Sequence, residues 1–234
     1  MRTIKQQARV AGLIYFLLGV TAPIGLVYVP GKLIVPGDAT ATAERIRASE
    51  SLFRIGIVSE LFHQAVVIFL VLALYRLFVS VNKALARQVV ILGALISVPI
   101  VFVNVLNEVA ALILLGGADF LAVFDTHQLD TLAYLFLRLH GEGLDLAAIF
   151  WGLWLFPFGL LVMRSGFIPR ILGVLMIIAG AAYVVSSFTS LLLPQYVKQV
   201  SEVAMILYFG EIPIMLWLLI WGAKGPLADA PVSE

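Results

Sequence analysis

Long apolar runs separated by short polar stretches dominate the chain, and six of the runs approach twenty residues. A hydrocarbon core ~30 Å thick needs ~20 apolar residues at a rise of 1.5 Å each, so each run is long enough to span a bilayer as a helix. The pattern predicts helices over Val10–Val29, Arg54–Phe78, Val89–Leu115, Leu129–Met163, Ile168–Leu193 and Ser201–Trp221. Pro23 and Gly25 are placed to kink the first, and Pro30-Gly31 to end it. Pro36-Gly37-Asp38 reads as a turn, with Asp38 or Thr40 capping a short amphipathic helix, Ala39–Ser49, at the membrane surface. The expected fold is therefore all-α: a polytopic bundle of six transmembrane helices with one surface helix between the first two. It forms one domain over residues 1–222, and a disordered cytoplasmic tail covers 223–234.

Composition supports this: 62% of residues are hydrophobic and only 12% charged, where soluble domains carry about 25%. A net charge of +1 leaves no basic surface for nucleic acid. With no cysteine there is no disulfide, no thiolate nucleophile and no Cys-based metal site. Arg2, Lys5 and Arg9 precede the first run in the manner of a signal peptide, but no A-x-A-like cleavage site follows. The run is expected to stay as the first span.

Orientation follows from basic residues near the helix ends. Arg2, Lys5, Arg9, Arg76, Lys83, Arg87, Arg164, Arg170 and Lys224 lie on one side, nine in all, against Lys32, Arg45, Arg47, Arg54 and Lys198, five, on the other. Both termini are expected in the cytoplasm of a prokaryotic cell, the protein sitting in the inner (plasma) membrane. Ile-Leu-Gly recurs at Ile91–Gly93 and Ile171–Gly173, too little to establish a repeat.

Ionisable groups inside membrane helices cost about 2.5–3.5 kcal/mol each on insertion scales and mark functional sites by default. Glu60, His63 and Gln64 share one face of the second span at i, i+3 and i+4, and Asn104, Asn107 and Glu108 repeat that spacing on the third. The two stripes are placed to face each other. On the fourth, Arg138, Glu142 and Asp145 fall on one face, and His140 points the other way unless Gly141 and Gly143 break the helix. Glu211 lies about ten residues from either end of the sixth span, and Pro213 frees the carbonyl of Phe209 beside it. Packing alone also accounts for such residues, because polar side chains often bond between membrane helices.

Metal chemistry finds no local signature. Glu60-x-x-His63 is half of a di-iron helix motif, and no second copy exists. A zinc site from His63, His140 and an acid has no ligand spacing behind it. No metal and no cofactor are expected. Ser59, Ser186 and Ser187 lack a neighbouring base, so no catalytic residue is identified.

The stretches Ile34–Ala39, Glu50–Val58, Leu135–His140 and Arg164–Gly173 together resemble the bacterial domain-of-unknown-function family numbered 4386 over nearly the whole chain. The resemblance implies a prokaryotic multipass membrane protein and no particular activity. In the family pattern an acid often stands at the position of Arg138 and a His at that of Trp154. Both departures argue against a metal site shared across the family through the fourth span.

Three functions fit the residues. One is binding or conduction of a small solute, ion or proton in an outward-facing polar cavity lined by Glu60, His63, Asn107, Glu108, Arg138, His140, Asp145 and Glu211. Six helices without an inverted repeat would need a homodimer to complete a transport path. Another is a membrane-embedded enzyme acting on a lipid or small apolar substrate, with Glu60 or His63 as general base and Arg138 as a head-group clamp. The last is a scaffold or sensor whose polar residues only set packing.

Overall fold

The computed structural model describes residues 3–225, and these contain seven helices and no strand. Six are long and apolar enough to cross a membrane: α1 (Ile4–Leu33), α3 (Glu50–Phe78), α4 (Lys83–Leu115), α5 (Thr126–Ser165), α6 (Arg170–Leu192) and α7 (Pro194–Ile220). The seventh, α2 (Ala39–Ala48), is the short helix expected between the first two spans. Most of the expected tail, residues 226–234, lies outside the described residues. Ala223 and Lys224 are held in place: Ala223 is buried, Lys224 N–H donates to the Phe167 carbonyl at 3.0 Å, and its Nζ lies 4.7 Å from the Trp217 ring centre.

Local chemistry sets the helix ends. Asp38 accepts from the Ala41 N–H at 2.9 Å and starts α2, and Asn82 accepts from Leu85 at 3.0 Å to start α4. At α5, Asp125 accepts from the Gln128 N–H at 2.8 Å while Gln128 accepts from the Asp125 N–H at 3.0 Å. This reciprocal capping box starts α5 three residues before the expected Leu129.

Prolines explain four of the irregular turns; the break of α4 at Val105 has no proline behind it. Proline removes the hydrogen bond to the carbonyl four residues back, and the helix widens, tightens or breaks there. Pro30 frees Leu26, inside a wide π turn at Ile24–Tyr28; Pro99 frees Leu95, inside another at Ile91–Ile96. Pro157 frees Leu153, where α5 is interrupted at Trp154, and Pro213 frees Phe209, in a 3₁₀ turn at Phe209–Glu211. So Pro30 does not stop α1, which runs on to Leu33. Gly141 and Gly143 do not break α5, which is helical from Thr126 to Leu153.

The chain divides into two compact units. Among the described residues the first holds 3–18, 66–99 and 145–225. Its apolar core centres on Phe158, which stacks on Trp154 with ring centres 5.5 Å apart and meets Phe78 edge-on at 5.9 Å. Glycines bring its helices into backbone contact. A Cβ on Gly159 would lie 2.6 Å from the Gly173 carbonyl oxygen, and one on Gly173 would lie 2.5 Å from that of Gly159. Gly152 and Gly180 repeat the arrangement one heptad along, at 2.5 and 2.7 Å. No side chain larger than hydrogen fits such a crossing, the usual solution where lipid gives helices no hydrophobic reason to pair.

The second unit holds Gly19–Ala65 and Ile100–Leu144. Here α2 is tied down at both ends. The Gly37 N–H donates to the Tyr134 hydroxyl at 2.7 Å, and Arg47 pairs with the buried Asp130 at 2.5 Å. Thr42, Ala43 and Ile46 form its buried face.

Candidate functional site

The second unit buries polar side chains from three helices. Glu60, His63 and Gln64 on α3 are all buried, as are Asn104 and Glu108 on α4 and His140 on α5. The unbroken run of α5 turns His140 inward while Arg138 and Glu142, on the opposite face, stay exposed and pair with each other at 3.3 Å.

His140 stands between the two acids. Its Nε2 lies 3.3 Å from Glu60 Oε2 and 4.0 Å from Glu108 Oε1. One donor atom from each residue falls within 4.8 Å of the other two. Glu60 and Glu108 are 2% and 5% exposed, yet Glu60 Oε1 and Glu108 Oε2 have no hydrogen-bond partner among the described residues. Gln64 Oε1, one turn on from Glu60, is also buried without a partner. Unsatisfied groups at this depth are costly, so three together call for an explanation.

Asn104 sets the imidazole. Its Nδ2 donates to the His140 carbonyl at 2.8 Å, and its own carbonyl oxygen lies 3.4 Å from His140 Nδ1. Asn107 Nδ2 donates in turn to the Asn104 carbonyl at 3.0 Å and to its Oδ1 at 3.1 Å. Nδ1 also has the Asn104 Nδ2 at 3.2 Å, so it has an acceptor and a donor beside it and the pocket accommodates either tautomer. Gly143 makes the arrangement possible, because a Cβ there would fall on the Asn104 carboxamide. Its role is clearance for a side chain from α4, where the sequence suggested a helix break. On the other side, a Cβ on Gly25 would lie 3.3 Å from the Glu60 nitrogen, so α1 packs closely on α3 at this level.

Of the eight residues singled out from sequence, the structure brings Glu60, Glu108 and His140 together, with Asn107 bracing Asn104 behind them. His63 turns to α1, its Nδ1 3.4 Å from Thr21 Oγ1. Arg138 is not at the cluster. Asp145 and Glu211 belong to the first unit, where Asp145 is exposed. The Tyr15 hydroxyl donates to Glu211 Oε2, and Tyr183 also hydrogen-bonds Glu211. Sequence reasoning treated Asn104 only as part of a stripe and missed what it does; the signal was a small residue, Gly143, three positions after His140.

The remaining candidates are ordinary. Ser59 Oγ donates to the Thr21 carbonyl at 3.2 Å, and Ser187 to that of Tyr183 at 3.0 Å, so each hydroxyl is bonded to a backbone carbonyl. A groove of about 460 Å³ along α6 and α7 is lined almost wholly by apolar side chains such as Ile178, Val185, Val203 and Leu207.

The family model described as "Domain of unknown function (DUF4386)" matches residues 10–222, and the chain belongs to this family. An uncharacterized protein of Archaeoglobus fulgidus is 38% identical over 81 residues, which cover 35% of this chain and 47% of that protein. The match thus spans about half the length of that relative. No solved structure matches.

Proposed function

From membership of a family whose description names no activity, we propose on the chain's own geometry that it binds a small cation at Glu60, Glu108 and His140. The protein is an integral membrane protein with six candidate spans. The observation that carries the reading is the convergence of two buried carboxylates on one imidazole, with no Lys or Arg ion pair to either acid among the described residues. Two buried carboxylates repel and lose hydration, and a single imidazole can balance one of them at most; a cation between them supplies the remaining counter-charge. The cation is held inside the membrane-spanning part of the chain, as expected of a protein that binds or passes small ions. The bias of nine basic residues against five supports a plasma-membrane orientation with both termini in the cytoplasm.

The test is thermal unfolding of the purified, detergent-solubilised protein against a panel of sodium, potassium, magnesium, calcium, manganese and zinc salts. A ligand at about a hundred times its Kd stabilises the folded state by about 2.7 kcal/mol, a readily measured rise in midpoint. At least one cation is expected to raise the midpoint of the wild type, and the double variant Glu60→Gln, Glu108→Gln is expected to lose that response. If no cation moves the wild type, or the double variant responds equally, the reading is wrong.

A further inference from the structure

Resting on the cation reading, we propose that the ion is a divalent transition metal, held by the imidazole nitrogen of His140 and one carboxylate oxygen each from Glu60 and Glu108. At least one coordination position is left for an exogenous ligand.

Charge narrows the choice first. Two carboxylates and a neutral imidazole carry two negative charges, which a doubly charged ion cancels and an alkali ion halves. The donor set narrows it further. Calcium takes six to eight oxygen ligands, and magnesium a near-ideal octahedron of oxygens. Three side chains, one offering nitrogen, do not build either cage. Imidazole with carboxylates suits zinc, iron and manganese.

The distances agree. Two donors each ~2.0–2.1 Å from a tetrahedral ion stand about 3.3 Å apart. Nε2 of His140 and Oε2 of Glu60 are separated by 3.3 Å. The 4.0 Å to Glu108 Oε1 closes with a small rotation of a side chain whose second oxygen has no partner. With the proton on Nδ1, the Nε2 lone pair faces a carboxylate oxygen, a repulsion that a cation between them relieves. The Asn104 main-chain carbonyl, 3.4 Å from Nδ1, can accept that proton, the outer support that metal-bound histidines normally have, and Asn104 Nδ2 lies 3.2 Å from the same nitrogen.

Three protein donors also say what kind of site this is. Structural zinc sites close with four protein ligands, whereas sites that act on a substrate keep a position open. The cluster assembles from α3, α4 and α5, each a candidate span, so a ligand reaching the open position has to enter from within the membrane or along a polar path into the bundle. A small molecule with a carbonyl, phosphoryl or hydroxyl oxygen fits such a centre.

The experiment uses the full-length protein, stripped with chelator and titrated with Co²⁺, whose visible d–d bands report its coordination. Wild type is expected to bind one Co²⁺ per chain, to show the bands, to lose them when one equivalent of Zn²⁺ is added, and to shift them on adding azide. His140→Ala and Glu108→Gln are expected to abolish the bands, and His63→Ala to keep them. Gel filtration establishes that each variant is folded. Calcium or sodium stabilisation without Co²⁺ bands overturns the transition-metal assignment and leaves the cation reading standing. Silence toward every cation removes both. Bands that survive in folded His140→Ala overturn the ligand set, and bands indifferent to azide overturn the open position.

Discussion

In the first unit the buried hydroxyls of Ser165, Ser187 and Thr189 bond carbonyls three or four residues back on their own helix, at 2.8–3.0 Å. In the second unit Glu60, Asn104 and His140 meet across three helices, while Glu60 and Glu108 each keep an oxygen without a partner. The first unit holds the apolar core around Phe158 and its glycine crossings. The second holds two acids and an imidazole. Local satisfaction is what a membrane helix does by default, since every polar group in lipid needs an internal partner. The first unit also leaves Gln7 Oε1 and Trp217 Nε1 without a partner, so what distinguishes the second is that its unpartnered oxygens include those of two acids converging on one imidazole.

The largest effect is expected where the first unit is tightest. Gly159→Leu drives a branched side chain into the α6 backbone and should cost about 3 kcal/mol or more, enough to leave little folded protein. Gel filtration and denaturant unfolding check it, and a normally stable variant would remove the glycine crossing from the account of this unit.

Opposite signs at two carboxylates sharpen the contrast. In chelator, Glu108→Leu removes a buried charge with an unsatisfied oxygen and should raise stability by about 1–3 kcal/mol. Glu211→Leu takes the acceptor from the buried Tyr15 hydroxyl and should lower it by about 1–3 kcal/mol. Unfolding midpoints measured side by side decide the matter, and shifts of the same sign would erase the distinction between the units.

A smaller effect, confined to binding, is expected from Gly143→Ala. The added methyl displaces the Asn104 carboxamide that supports His140, and loss of such outer support typically weakens metal affinity 10–100-fold. Co²⁺ titration reads it directly; an unchanged affinity would mean that Asn104 does not position the imidazole.

Six spans and the surface helix were legible because length and apolar character answer to bilayer thickness alone. The exceptions were local. Pro30 reads as a stop, yet α1 absorbs it with a wide turn and continues to Leu33. Asp125-x-x-Gln128 carries a capping box that places the start of α5 at Thr126, hidden among acidic loop residues. For the site, the i, i+3, i+4 spacing on α3 and α4 marks both stripes. His140 shares its helix with Arg138 and Glu142, and only the helix phase, unbroken through Gly143, separates the inward residue from the exposed pair. Donor atoms brought together from three separate helices leave no spacing to recognise in the sequence, which is why the cluster of Glu60, Glu108 and His140 was not legible there.

The reciprocal glycines of α5 and α6 also constrain ancestry. At Gly159 and Gly173 each position is limited by the other's backbone oxygen, not by its side chain. A backbone atom cannot be exchanged by mutation, and no residue is smaller than glycine, so neither position has a second-site substitution that would rescue its loss. Lineages that keep this crossing are expected to inherit all four glycines unchanged, while the prolines and the rim of the cluster drift around them.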